Sequence, residues 1–293
     1  MPIVISFANM KGGVGKTTLC VNLAFELFSR GKKVLVVDND PQFNATSSLL
    51  NPKVYIEKCI KKNTLLTTYN IYEKTPNVGR KRKRIIPSKF IENIWYQSHD
   101  DSITLDLIPS RIELYETLRN PSHKEYLVDK FIRNYAGEYN YVFIDCPPTP
   151  SVLTLSAFAA SDFVIIPVKP DFFSTLGIPQ FINTLEDFKD RQIDQHDVQP
   201  LGIVFTDVDR RLPRETKQSM TRVKRTIEEL SEDLLVFDSR LSHLEVFKKT
   251  LWQAVPVQQI TGRGTKGKTL AMLELKAIAK EILTEIDERI KND

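Results

Sequence analysis

The sequence predicts an α/β fold, a mostly parallel central β-sheet with helices on both faces. Three observations predict it. Short apolar, partly β-branched runs alternate along the chain with segments of helical periodicity, the pattern of strands joined by crossover helices. A glycine-rich turn, Lys11-Gly12-Gly13-Val14-Gly15-Lys16-Thr17-Thr18, stands between the first such run and the first helical segment. The strongest runs end in polar or acidic residues, and in an open parallel sheet ligands sit beyond the carboxyl ends of the strands.

The elements follow in order. Ile3-Val4-Ile5-Ser6-Phe7-Ala8 is short and apolar, as a buried strand should be. Leu19, Leu23 and Leu27 then recur at helical spacing until Gly31 stops the pattern. Val34-Leu35-Val36-Val37 is a second strand, ending at Asp38 and the polar stretch Asn39-Asp40-Pro41-Gln42-Phe43-Asn44-Ala45-Thr46. Ile103-Thr104-Leu105-Asp106-Leu107-Ile108 is a strand closed by Pro109. A helix is expected from Pro121 to Tyr135, with Tyr126, Leu127, Phe131 and Ile132 inward. Tyr141-Val142-Phe143-Ile144 leads into Asp145-Cys146-Pro147-Pro148, and Phe163-Val164-Ile165-Ile166-Pro167-Val168 is a further strand. A helix follows from Thr175 to Phe188, then the strand Leu201-Gly202-Ile203-Val204-Phe205-Thr206. Pro213 opens a helix to about Leu230 with Met220, Val223, Ile227 and Leu230 as its apolar stripe. Leu234-Leu235-Val236-Phe237 is a weaker strand, and an amphipathic helix at about 269–291 closes the chain. There is no internal repeat, and a single domain over residues 1–293 accommodates these elements.

The glycine turn carries the chemistry. It aims several backbone N–H groups into one small space at a helix N-terminus, a place that binds phosphate. Lys16 can reach the β- and γ-phosphates of a nucleotide, and the Thr17 hydroxyl can ligate Mg²⁺. Asp145 ends a buried strand and is placed to serve the same cation. Asp38 reads equally well as part of this site or as a turn or cap residue. The ordinary P-loop pattern has a glycine where this chain has Met10, and here a second lysine, Lys11, opens the loop.

The Lys-Gly-Gly-x-Gly-Lys-Thr-Thr string resembles the deviant Walker A loop of the ParA/MinD ATPases. With the segments ending in Asp40 and Asp145, the chain resembles the ParA family of partition ATPases from Ile3 to about Ile282, in the form lacking an N-terminal DNA-binding domain. The resemblance implies a P-loop ATPase using ATP and Mg²⁺. It implies nucleotide binding by Lys11, Gly12, Gly13, Val14, Gly15, Lys16, Thr17 and Thr18. Lys11 would be the signature lysine that crosses a homodimer interface to the partner's nucleotide. Asp40 would orient or polarise the attacking water in a first switch, and is a further candidate for the metal. Asp145 would hold Mg²⁺ through water, and Pro147 and Pro148 would belong to a second switch. Phe43 departs from the family's usual glycine between Gln42 and Asn44.

Charge points to two basic regions. The whole chain carries a formal net charge of +4. Residues 51–100 hold eleven Lys/Arg against four Asp/Glu, concentrated in a basic loop insertion at about 74–90. Its run Arg80-Lys81-Arg82-Lys83-Arg84 is either a solvated loop or an auxiliary contact to nucleic acid or an acidic partner. The second region is Arg210, Arg211, Arg214 and Lys217 at the start of the 213–230 helix, with Lys224, Arg225 and Arg240. The resemblance implies that Arg210 or Arg211 and Arg240 help bind DNA without sequence preference. No helix-turn-helix or zinc-finger spacing offers base readout, so binding would be phosphate-dominated and salt-sensitive.

Cys20, Cys59 and Cys146 show no metal or cluster spacing, which argues against an iron–sulfur relative. Cys20 and Cys146 read as core residues, and a reducing cytoplasm is the natural compartment. No run suggests a signal peptide or a membrane span. The resemblance implies a cytoplasmic, nucleoid-associated homodimer that partitions plasmids or chromosomes with a ParB-type adaptor that stimulates hydrolysis. Two alternatives keep the ATPase: a positioning protein for a protein cargo, and a MinD-like membrane-associated protein. The second is disfavoured because the tail carries Glu281, Glu285, Asp287, Glu288 and Asp293, which anionic lipid would repel. No membrane partner is expected.

Overall fold

The computed structural model describes residues 1–73, 86–97, 100–191, 198–230, 234–262 and 265–292. The basic run Arg80–Arg84, and with it most of the expected insertion, lies outside the described residues. Among the described residues eight strands form one sheet: β1 (Ile3–Phe7), β2 (Val34–Asp38), β3 (Glu92–Gln97), β4 (Asp100–Ile108), β5 (Tyr141–Asp145), β6 (Phe163–Val168), β7 (Gln199–Phe205) and β8 (Leu235–Val236). Their order is β3-β4-β2-β5-β1-β6-β7-β8. All neighbours run parallel except β3 and β4.

The helices in chain order are α1 (Lys16–Ser29), α2 (Asn44–Leu49), α3 (Pro52–Tyr55), α4 (Thr68–Tyr72), α5 (Tyr115–Arg119), α6 (Leu127–Tyr135), α7 (Val152–Ala160), α8 (Phe172–Asp190), α9 (Arg214–Leu230), α10 (Lys248–Gln253) and α11 (Lys268–Asn292). They cover both faces. One core packs α6, α7, α8 and α9 on the sheet; the other packs α1, α2 and α11 on the opposite side. Strands β2, β5 and β6 are buried along their whole length, which is why they read as continuous apolar runs instead of alternating ones.

Helix α1 stops where the sequence places Gly31. That residue sits at φ 80°, its amide bonds to Phe28 O at 3.0 Å, and the Lys32 amide bonds to Leu27 O at 3.1 Å. This is the paired closure of a Schellman motif. Two helix starts and one strand depart most from expectation. The helix expected from Pro121 begins at Leu127, because residues before it turn through His123 at φ 61°. Tyr126 is therefore 41% exposed, and Val128, Phe131 and Ile132 form the inner face. Helix α8 begins earlier than Thr175, since the Asp171 side chain accepts from the Ser174 amide at 2.8 Å and caps it. Strand β3 was not expected; it is a half-buried edge strand, antiparallel to β4, with no long apolar run.

Candidate functional site

The strand ends converge. Asp145 at the end of β5 is in register with Asp38 of β2 on one side and with Phe7 of β1 on the other. The glycine turn leaves β1 at this level and feeds α1. Asn9 anchors its start, accepting from the Lys11 amide at 2.9 Å and donating to Pro167 O at 2.8 Å. Gly15 caps α1 at φ 80°, and a Cβ there would press on Thr206 at 3.3 Å. The Thr206 hydroxyl, just past the end of β7, donates to Val14 O at 2.5 Å and pins the turn. At Gly12 and Gly13 a Cβ would meet nothing within 4 Å, so this stretch faces open space.

That space is a cavity of about 480 Å³. Residues 12–18 line its floor, and Asp40, Gln42, Asn44 and Pro148 line one wall. Lys16 is buried, and its ammonium donates to Lys11 O at 3.0 Å. The Thr17 hydroxyl donates to Asp145 Oδ2 at 2.6 Å. The other Asp145 oxygen, Oδ1, is buried with no hydrogen-bond partner among the described residues. Asp40 is 5% exposed and accepts from the Gln42 amide at 2.8 Å. Burial holds the Lys16 ammonium below its ordinary range, against the opposing pull of Asp145. Burial pushes the carboxyl groups of Asp145 and Asp40 up, and the charge of Asp38 raises Asp145 further. Such a set of buried carboxyl groups favours a cation, provided one can be brought in.

Of the residues singled out in the sequence, Gly12 to Thr18 and Asp40 share this cavity, and Asp145 lies directly behind Thr17. Lys11 departs from them. Its ammonium turns away, to Asp171 Oδ2 at 2.5 Å and Ser174 Oγ at 3.2 Å. Asp38 is a brace: its Oδ2 accepts from the Thr46 amide and hydroxyl, both at 2.7 Å, and its Oδ1 from the Asp40 amide at 3.2 Å. It ties the two ends of the 38–46 loop together.

The basic candidates lie on another part of the surface. Arg210 and Arg211 border a second groove, next to Asp209 and Thr216, which shares Asp207 and His243 with the first cavity. Arg211 is bound back to Asp209 at 2.8 Å. Arg214 and Lys217 are exposed on the first turn of α9, and Arg240 is half-buried after β8.

Sequence reasoning missed the far wall of the cavity, made by Thr206, Asp207, Leu241, Ser242, His243 and Phe247. Its pieces are fixed at long range. Asp207 bonds to Lys169 and to His243 Nδ1, each at 2.5 Å, and the Ser242 amide bonds to Glu274 Oε2 at 2.9 Å. No local motif in the chain marks them.

A family model described as an AAA domain matches residues 3–199. The sporulation initiation inhibitor protein Soj of Bacillus subtilis is 35% identical over 213 residues, 71% of this chain and 74% of that protein. The chromosome partitioning protein ParA of Myxococcus xanthus is 34% identical over 210 residues, 71% of this chain and 66% of that protein. A solved structure of cobyrinic acid a,c-diamide synthase from Mycobacterium smegmatis, with bound ATP analogue and magnesium, is similar with a TM-score of 0.63 and 25% identity, covering 87% of this chain and 93% of that one.

Proposed function

Since the chain belongs to the ParA/MinD family of P-loop partition ATPases, we propose that it is a Mg²⁺- and ATP-dependent dimerising ATPase that binds DNA without sequence preference. In this reading a ParB-type adaptor stimulates hydrolysis and releases the protein from the nucleoid, moving a plasmid or chromosome. The observation that carries the nucleotide reading is the buried Asp145 oxygen without a partner, behind Thr17 at the floor of the glycine-lined cavity. A hard cation held by few protein oxygens and by phosphate suits such a donor set.

The residues fit ATP and Mg²⁺. The amides of residues 12–17 would receive the phosphates at the N-terminus of α1. Lys16 would exchange its bond to the Lys11 carbonyl for the β- and γ-phosphate oxygens. Thr17 and Asp145 would hold Mg²⁺, Asp145 through water. Bound there, Mg²⁺ would neutralise charge on the phosphate oxygens. Asp40, at the wall beside the phosphate end, would orient the attacking water. Arg210, Arg211, Arg214, Lys217 and Arg240 would meet DNA phosphates.

Calorimetry on Lys16→Ala tests the nucleotide site. The variant should lose ATP binding, because the triphosphate loses its central cation. Unchanged ATP affinity in a folded Lys16→Ala protein would remove the basis of the reading.

A further inference from the structure

Phe43 sits at φ 46°, ψ 39°, a left-handed conformation that strains a bulky L-residue and costs glycine little. The backbone demands that conformation. The Phe43 amide closes a turn on Asp40 O at 2.9 Å, and its carbonyl accepts from the Ser47 amide at 2.9 Å and hydroxyl at 3.0 Å. A side chain that keeps this position has to offset the strain elsewhere, and its ring shows how. It stacks on Tyr55 with centroids 5.9 Å apart and planes 11° from parallel.

Tyr55 is itself fixed. Its hydroxyl donates to Ser110 O at 3.2 Å, and the Ser110 amide donates to Thr46 Oγ1 at 2.8 Å. Thr46 in turn bonds to Asp38. The ring therefore fastens the middle of the 38–46 loop to the same scaffold that holds its ends. Within that loop the Gln42 amide bonds to Asp40 Oδ1, and the Gln42 side chain bonds to the Tyr115 hydroxyl. Movement of Phe43 would carry Gln42, and with it the carboxylate of Asp40.

We infer that Phe43 is a positioning residue: its stack on Tyr55 holds the 40–43 turn so that Asp40 keeps its carboxylate at the phosphate end of the cavity. The task given to Asp40 rests on the ATPase reading above; the tether does not. Phe43→Gly separates backbone from ring, since it keeps the left-handed turn and removes the stack. Phe43→Tyr keeps the ring. Tyr55→Leu removes the stack from the other side while leaving Phe43 in place.

Two measurements decide it. Hydrogen exchange at the Gln42–Thr46 amides of the nucleotide-free protein should speed up about tenfold in Phe43→Gly and Tyr55→Leu, and stay near wild type in Phe43→Tyr. ATP turnover should fall roughly tenfold in the first two variants, with ADP affinity within about twofold of wild type, and recover in Phe43→Tyr. Unchanged exchange in Phe43→Gly overturns the tether. Faster exchange with normal turnover, or a matching loss of ADP affinity, overturns the positioning role. A wild-type protein that binds ATP and never hydrolyses it refutes the ATPase reading instead, and exchange alone then decides the tether.

Discussion

The Lys11 ammonium is paired with Asp171 of its own chain at 2.5 Å, and that carboxylate also caps α8 through the Ser174 amide. The lysine proposed to reach a partner's nucleotide is therefore tied to its own chain. The hold is weak, because both side chains are about one-third exposed and such pairs contribute about 0.2–1 kcal/mol. Lys11→Ala should keep ATP binding and lose the ATP-dependent dimer, as read by light scattering. Asp171→Asn frees the lysine and should lower the ATP concentration needed for dimerisation by no more than about fivefold. A Lys11→Ala protein that dimerises as wild type does would refute action across the interface.

Asp40→Ala removes a carboxylate from the wall of the glycine-lined cavity and leaves the glycine turn, Lys16 and Thr17 intact. Hydrolysis should fall by about 10²-fold or more, while ATP still drives dimerisation. Steady-state turnover and sizing with ATP check the two halves separately. A variant that hydrolyses normally contradicts the role given to Asp40.

Burial pushes the carboxyl groups of Asp38, Asp40 and Asp145 up, Asp38 to about 7. Each folded-state value lies above the unfolded one, near 3.9 for Asp. Their contribution to stability is then fully present below the unfolded value and is lost as pH rises through the folded one. The nucleotide-free protein should melt at a lower temperature near pH 7 than near pH 5, roughly the window from 3.9 to about 7 that the Asp38 shift defines. Asp38→Asn should flatten that dependence, whatever it does to the melting temperature itself. A melting temperature that rises across the window, equally in both proteins, would contradict the assignment.

Most of the sheet and the floor of the site were legible in the sequence, for a physical reason. Strands such as β2, β5 and β6 are buried on both faces and must be apolar throughout, and the glycine turn is one contiguous string. Fold class and the clustering of Lys16, Thr17 and Asp145 follow from those two facts. What escaped is built at long range or on partly wet surfaces. Strand β3 has a polar edge pattern. Thr206 reaches Val14 across 192 residues, and Asp171 reaches Lys11 across 160. Phe43 could be seen to depart from the family's glycine, but Tyr55, which explains how a ring is held there, carries no sign of the contact in its own neighbourhood.

DNA binding should require the dimer and the basic face around the start of α9. One chain offers few phosphate contacts from Arg210, Arg214, Lys217 and Arg240, and Arg211 is bound to Asp209 on the surface. Its release to a phosphate costs little, because the pair is solvent-exposed. Pairing two chains doubles the contacts on one surface. Each neutralised phosphate adds roughly 0.9 to the slope of log affinity against log salt, so both affinity and salt sensitivity should rise together with ATP. Binding should be weak without ATP, tight with it, and indifferent to sequence. Arg211→Glu combined with Arg240→Glu should abolish it and spare ATP-driven dimerisation, as read by fluorescence anisotropy on unrelated duplexes at several salt concentrations. The run Arg80–Arg84 is the competing surface. If its deletion abolishes binding while the double substitution leaves affinity and salt slope unchanged, the DNA lies on the insertion and not on α9.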